Sequence, residues 1–134
     1  MLSSQQKGNI GELRIAAKLI ELGYEVLKGF GETKDFDLVA YKDSKFIRIQ
    51  VKAVTPKNQV LVGKTFTSNS KGIRFFNKEV VDVLAIYDLE NCNSYFVNPK
   101  EINGQGILLR LAETRNGQKL NIKMAKDYTD FPPK

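Results

Sequence analysis

Two stretches of alternating apolar and polar residues, 36–41 and 46–54, flank a polar segment at positions 42–45. Alternation with a period of two is typical of β-strands, and Asp43-Ser44 suits a tight turn. The two stretches therefore predict a β-hairpin that turns about this dipeptide. In that register Asp37 faces Gln50, with Cβ atoms about 5 Å apart.

The same register divides the second strand of the hairpin into two faces. A slip of one residue would move Gln50 away from Asp37 and reverse the two faces. Asp37 and the Gln50 carbonyl can together hold a hard divalent cation, which prefers oxygen ligands. Lys52 lies beside them, although Gln50 and Lys52 could equally be an exposed polar face. One face carries Arg48, Gln50 and Lys52, and the other carries Ile47, Ile49 and Val51.

A glutamate breaks the pattern of the predicted N-terminal helix. Ser3 and Ser4 can cap this helix, and Gly23 can end it. At 100° per residue, Glu12 falls within the apolar arc, where a carboxylate needs a partner. Lys52 or a metal ion could be that partner, or Glu12 could reach water at the rim. The predicted polar sector comprises Lys7, Gly11, Arg14, Lys18 and Glu21, and the apolar arc comprises Ile10, Leu13, Ile15, Ala16, Ala17, Leu19 and Ile20.

The rest of the chain completes an α/β pattern. Short strands are predicted at residues 24–28, 80–87, 94–97 and 106–111, and a closing helix at residues 118–128. Apolar islands at residues 60–62 and 73–76 interrupt a polar, basic stretch. The order of elements predicts an α/β fold around a mixed sheet. No repeat or linker divides residues 1–134, so we expect a single domain.

The composition limits the possible chemistry. The chain has no histidine and a single cysteine, Cys92, which excludes zinc–histidine sites, cysteine clusters and disulfides. No segment matches a nucleotide-binding loop, a signal peptide or a membrane span. We therefore expect a cytoplasmic protein without a membrane partner, whose chemistry depends on carboxylates, amides, lysines and a bound metal ion.

Positive charge is concentrated in the middle of the chain. There are 21 Lys and Arg against 15 Asp and Glu, and no acid occurs between Asp43 and Glu79. Such a stretch suits a polyanion, although a solvated basic surface is the alternative. Residues 55–78 are therefore the candidate DNA-contacting segment, with lysines for phosphates and amides or arginine for base edges. The candidate DNA-binding residues are Lys57, Lys64, Asn69, Lys71, Arg74 and Lys78.

Glu12, Asp37 and the tripeptide Gln50-Val51-Lys52, in this order, resemble the PD-(D/E)XK nuclease superfamily. Residues 7–12 look like its opening helix motif and residues 36–39 like its metal-binding strand. Residues 109–111 and 114–118 are similar to the small intron-encoded homing endonuclease branch. The resemblance implies a restriction-endonuclease-like αβββαβ core with a central mixed sheet, and Mg²⁺-dependent phosphodiester hydrolysis, with Mn²⁺ as a substitute. It also implies catalytic residues Glu12, Asp37, Gln50 and Lys52, and metal ligands Asp37, Gln50, Val51 and Glu12.

Two positions depart from the superfamily pattern. Lys34 stands where a proline is usual, and Gln50 stands where an acid is usual. Glutamine is a neutral and weaker ligand, but the homing branch is similar in having glutamine here. Asp35 is the alternative to Asp37 as a ligand, or a group that pairs with Lys52.

The resemblance leaves three functions open. The first is a sequence-specific endonuclease of homing type acting on double-stranded DNA. The second is a structure-selective nuclease such as a Holliday junction resolvase, since a fold does not fix its substrate. The third is a DNA-binding subunit that has lost catalysis. Cutting both strands requires at least two copies, and the resemblance implies a homodimer or homotetramer.

Overall fold

The computed structural model describes residues 1–31, 35–113 and 122–134, and the side chains of residues 66–69 and 74–75 lie outside this description. The described residues form one long helix, nine strands and two short 3-10 turns, at Pro99–Glu101 and Ala125–Asp127. The elements are α1 (Ser4–Glu21), β1 (Glu25–Leu27), β2 (Leu38–Lys42), β3 (Lys45–Val54), β4 (Val60–Lys64), β5 (Phe66–Asn69), β6 (Gly72–Phe75), β7 (Val83–Asp88), β8 (Ser94–Val97) and β9 (Gly106–Arg110).

A five-stranded mixed sheet in the order β1-β2-β3-β7-β8 forms the centre of the fold. Strands β3 and β7 are parallel and the other neighbours are antiparallel, which confirms the predicted mixed α/β fold. Helix α1 packs on one face, and the two-stranded β4–β9 ribbon contributes to a second apolar cluster on the other. None of the described helices is long and apolar enough to cross a membrane.

The segment between β3 and β7 differs from the αβββαβ order that the resemblance implies. In place of a second helix, its described residues form β4 and the β5–β6 hairpin. The apolar residues here are short islands that alternate with polar ones, so they match a period of two rather than 3.6. Leu61 and Gly63 face inward, and Gly63 lies directly against Ile86. This packing stabilises strands where the resemblance implies a helix.

The predicted hairpin register is confirmed. Leu38 pairs with Ile49, and Lys42 pairs with Lys45 at the closed end. Asp43 and Ser44 have φ values of 52° and 64°, as both central residues of a type I′ turn require. The turn matches the twist of the strands and fixes which residues face each other across β2 and β3.

Helix α1 packs on the sheet along a line that the sequence did not predict. Ser3 and Gln6 form a capping box at its start, as the Ser-rich N-terminus indicated. Gly11, placed in the polar sector above, is buried because its missing side chain allows α1 to approach Ala53. Gly11, Ile15 and Leu19 form the buried line, whereas Leu13, Ala17 and Ile20 of the predicted apolar arc are exposed.

The predicted closing helix at residues 118–128 is wrong where the chain is described, and residues 118–121 lie outside the description. From residue 122 onward the chain forms only the 3-10 turn Ala125–Asp127. Met124 bridges Arg110, and the Phe96 N–H donates to the Tyr128 carbonyl. These long-range bonds hold the tail extended along β9 and β8, so tertiary contacts override its local helical pattern.

An ion pair links β3 to the residue before β7, next to the point where these two parallel strands begin to pair. Arg48 Nε donates to Asp82 Oδ2 at 2.9 Å, and Arg48 Nη2 donates to Asp82 Oδ1 at 3.0 Å. The Arg48 backbone N–H also donates to Asp82 Oδ2, at 2.8 Å. The bonds from Arg48 hold the pKa of the Asp82 carboxyl below its usual range.

We therefore expect Asp82→Asn to destabilise the protein only where Asp82 is ionised. Because the folded-state pKa is lowered, the stabilisation is present above the unfolded pKa of about 3.9 and is lost as pH falls through the lower folded value. Both side chains are more than a third exposed, so solvent limits the effect to about 1 kcal/mol or less. Urea unfolding of both proteins should show a difference near neutral pH that disappears in strong acid, and a difference that persists in acid would contradict this account.

Candidate active site

Asp37 lies immediately before β2, where that strand first meets β3. Its backbone N–H donates to the Ile49 carbonyl, and its Oδ2 accepts from the Val51 N–H, each at 2.8 Å. Continuing the β2–β3 register by one residue places Asp37 beside Gln50. The hairpin therefore brings a carboxylate to the Gln50-Val51-Lys52 tripeptide, in the register predicted from sequence.

Burial raises the pKa of the Asp37 carboxyl, and the nearby Glu12 raises it further. The Val51 N–H and the positive charges of Lys52 and Lys28 act in the opposite direction. The net shift shows that the negative charge on Asp37 is incompletely stabilised. An additional cation next to this carboxylate would be favourable.

The side chain of Gln50 has an unsatisfied oxygen. Its Oε1 atom is buried and accepts no hydrogen bond from the residues that the structure describes. A buried amide oxygen without a partner is unfavourable and calls for an explanation such as a bound ion. Because this oxygen belongs to the residue beside Asp37, a hard cation bound by both side chains would satisfy it.

One of the candidate metal ligands at this site, the Gln50 amide, carries no charge. No group of three His, Cys, Asp or Glu side chains suited to a metal occurs in the described parts of the chain. An ion here would depend on the Gln50 amide and on backbone oxygen in addition to carboxylates. The Val51 N–H points toward Asp37, and the carbonyl of the same strand residue points to the same edge. These oxygen donors suit Mg²⁺ or Mn²⁺.

Glu12 pairs with a residue that the sequence argument did not consider. Its Oε1 accepts a short hydrogen bond from Lys28 Nζ, whereas Lys52 was the predicted protein partner. Lys28 directly follows β1, whose register places it near the start of β2. Lys28 thus takes the place predicted for Lys52, and the Glu12 side chain, which is 23% exposed, also reaches water as the second alternative predicted. A metal ion as the partner of Glu12 stays a prediction. In the sequence, the one signal for Lys28 as a partner of Glu12 is its position as a charged residue at the end of a predicted short strand.

Lys52 and Asp35 complete the surroundings of Asp37. Lys52 is half-buried on β3, two residues from Gln50 and therefore on the same face. Its positive charge acts on Asp37, lowering the pKa of that carboxyl. Asp35 is also half-buried, and Asp37 accepts a hydrogen bond from the Val51 N–H of the tripeptide.

The candidate DNA-binding residues occupy the segment between β3 and β7 and have different surroundings. Lys57 is exposed in the tight turn before β4, and Lys64 is exposed at the end of β4. Lys71 lies at the exposed tip of the β5–β6 hairpin. Lys78 donates to the Ile102 carbonyl at 2.6 Å, so its ammonium has a structural role. Asn69 and Arg74 belong to β5 and β6, and their side chains lie outside the described structure.

The sequence places this chain in a known family. Residues 2–131 match the family described as PD-(D/E)XK endonuclease, so the chain belongs to that family. A comparison with curated proteins finds no match.

Solved structures with the same fold include two nucleases. The chain is similar to a bacterial homing endonuclease, I-Ssp6803I, with a TM-score of 0.73 and 21% identity over 95% of this chain and 88% of that one. It is also similar to Hjc, a Holliday junction resolvase from the archaeal hyperthermophile Archaeoglobus fulgidus. That likeness has a TM-score of 0.51 and 14% identity over 78% of this chain and 84% of the other.

Proposed function

We propose that this protein is a divalent-metal-dependent endonuclease that hydrolyses phosphodiester bonds in double-stranded DNA at a preferred sequence. The observation that carries the proposal is the buried Gln50 amide oxygen, which accepts no hydrogen bond from the described residues and lies beside the carboxylate of Asp37. Family membership supports hydrolysis as the reaction. The homing endonuclease covers more of this chain than the junction resolvase and superimposes with the higher TM-score, which favours the sequence-specific function.

Four residues would hold Mg²⁺, or Mn²⁺ in its place: Asp37, Gln50, Glu12 and Val51 through its carbonyl. The bound ion would supply Lewis-acid stabilisation of the phosphate and a more acidic water. Asp37 keeps its place in the metal-free protein through the Val51 N–H. Gln50 would contribute an oxygen without adding a second negative charge beside Asp37. This would limit the repulsion between the site and the substrate phosphate.

Lys52 would act on the substrate. Its ammonium lies on the same face of β3 as Gln50 and within electrostatic range of Asp37. There it can orient the attacking water and stabilise the negative charge that develops as the phosphorus becomes five-coordinate. The water oxygen would bond to phosphorus as the bond between phosphorus and the 3′ oxygen breaks. The water would lose one proton to solvent and the 3′ oxygen would take one up, which leaves a 3′-hydroxyl and a 5′-phosphate. The chain has no histidine to act as a base.

The basic segment would bind the duplex around the cut. Lys57, Lys64 and Lys71 are exposed and can contact phosphates, which orient DNA without reading its sequence. The β5–β6 hairpin is a two-stranded antiparallel ribbon, a kind of element that a major groove can admit. Because one site cuts one strand, the active form would be a homodimer or homotetramer.

Cleavage of a random duplex library and of a four-way junction, each with Mg²⁺, Mn²⁺ or EDTA, tests this function. Sequencing of the product ends should reveal one recurrent duplex site, cut only with metal and leaving 5′-phosphates. Cutting of the junction alone would favour a resolvase. Salt-dependent binding without cleavage by any metal would favour a catalytically impaired DNA-binding subunit.

Gln50→Met tests the ligand role of the amide without DNA. The substitution removes a buried oxygen that has no hydrogen-bond partner in the described part of the chain, so we expect the metal-free protein to gain about 1 kcal/mol in its free energy of unfolding. Mn²⁺ should then stabilise the variant much less than the wild type in thermal unfolding. Equal stabilisation of both proteins by Mn²⁺ would exclude Gln50 as a ligand.

A further inference from the structure

Lys28 contacts one carboxylate of the candidate active site and acts electrostatically on the other. Its Nζ is bonded to Glu12, and its charge also lowers the pKa of the Asp37 carboxyl. Glu12 in turn raises the pKa of the Lys28 ammonium above its usual value. One ammonium thus offsets the repulsion between two acids in the metal-free protein.

The pairing of β1 with β2 at the edge of the sheet determines the position of Lys28. Leu27, the last residue of β1, pairs with Val39, so Lys28 is the next residue along and approaches the start of β2. Asp37 precedes β2, and Glu12 follows Gly11, which α1 packs against Ala53 of β3. Packing of α1 and pairing of β1 therefore bring Lys28 and Glu12 to the same end of the hairpin.

The contact between Lys28 and Glu12 can open at little cost. The Lys28 side chain is 62% exposed, whereas that of Glu12 is 23% exposed. An ammonium at the solvent boundary can turn into water by rotation about its flexible stem. The Glu12 carboxylate, held on the helix, would stay behind.

We propose that Lys28 is a positioning residue that occupies the Glu12 carboxylate until a divalent ion displaces it. The inference rests on the proposed function, because it takes Glu12 as a ligand of the ion. Lys28 and the metal ion are then competitors for one carboxylate. Lys28 keeps Glu12 ordered without metal and lowers the affinity for metal.

If Lys28 competes with the metal ion, its removal should change the metal affinity in a different direction from the removal of an ordinary surface ion pair. A pair that only supports the fold would hold Glu12 in place for the metal, so its loss would leave metal affinity unchanged or weaken it. A competitor has the opposite effect, because its removal leaves Glu12 and Asp37 to repel each other until a cation binds.

Mn²⁺ titration by calorimetry, without DNA and at fixed ionic strength, tests the competition. We expect Lys28→Met to bind Mn²⁺ about fivefold more tightly than the wild type, as expected for loss of one partly exposed pair. Lys28→Arg, which keeps the charge, should stay near the wild-type affinity. Lys45→Met removes the same charge at the far end of the hairpin and should change the affinity little.

Thermal unfolding provides a second readout. Without metal, Lys28→Met should unfold at a slightly lower temperature than the wild type, and saturating Mn²⁺ should raise its unfolding temperature by more. Unchanged or weaker Mn²⁺ binding by Lys28→Met, with normal binding by the wild type, would overturn this inference alone. If the wild type does not bind Mn²⁺, the proposed metal-dependent function fails as well.

Discussion

Asp37→Asn and Lys52→Ala should each reduce the rate of metal-dependent DNA cleavage by about a thousandfold. Asp37→Asn removes the charge of the ligand that the proposed site takes from the hairpin, while its amide oxygen can still accept from the Val51 N–H. Lys52→Ala removes the ammonium that would stabilise charge on the reacting phosphate. Single-turnover cleavage of a duplex substrate at saturating protein measures both effects on the chemical step.

Two matched variants at the closed end of the hairpin control for charge. Asp43→Asn and Lys45→Ala change the same charges at the β2–β3 turn and should cleave at close to the wild-type rate. Burial raises the pKa of Asp37, so its charge opposes folding and Asp37→Asn should be at least as stable as the wild type without metal. Cleavage that survives both Asp37→Asn and Lys52→Ala would contradict the site.

Gly11→Ala should destabilise the protein by about 2 kcal/mol and lower cleavage at least tenfold. A methyl group at Gly11 would meet the Ala53 Cβ at 2.8 Å, so α1 must move away from β3. Glu12 is the next residue and would move with it. Chemical denaturation and single-turnover cleavage measure the two losses.

Gly8→Ala is the matched control on the same helix. Nothing lies within 4 Å of a methyl group at Gly8, so the variant gains helix propensity without a clash. It should be about 1 kcal/mol more stable than the wild type and equally active. If Gly11→Ala also stabilised the protein, the close packing of α1 on β3 would be wrong.

The hairpin was predictable because its register depends on local information. Ile47, Ile49 and Val51 alternate with polar residues, and only one register buries all three on one side. Asp43 and Ser44 tolerate the left-handed backbone of the turn. Placing Asp37 beside Gln50 required nothing beyond these two facts.

The helix face and the partner of Glu12 were not predictable in the same way. Helical periodicity shows how wide the apolar arc of α1 is, but it does not show which residues of the helix contact the sheet. Here a close contact between Gly11 and Ala53 decides the line, and small residues carry almost no hydrophobic signal. Lys28 approaches Glu12 only because β1 pairs with β2, which depends on contacts distant in sequence.

The C-terminal segment shows a third limit of sequence patterns. The sequence predicts a helix at residues 118–128, of which residues 122–128 are described. Instead, the Tyr128 hydroxyl donates to Glu101, and the Tyr128 carbonyl accepts from the Phe96 N–H. The Phe131 ring packs edge-on against those of Tyr24 and Phe96. These partners lie more than 25 residues away, and together they outweigh a short local preference for helix.

The most direct test of the central claim is a crystal structure of the protein soaked in Mn²⁺, with the ion located by anomalous scattering. The account predicts a peak about 2.2 Å from an Asp37 carboxylate oxygen and from Gln50 Oε1. Glu12 should then be released from Lys28 and turned toward the ion. Mn²⁺ bound only elsewhere, in crystals of a protein that cleaves DNA with Mn²⁺, would contradict it.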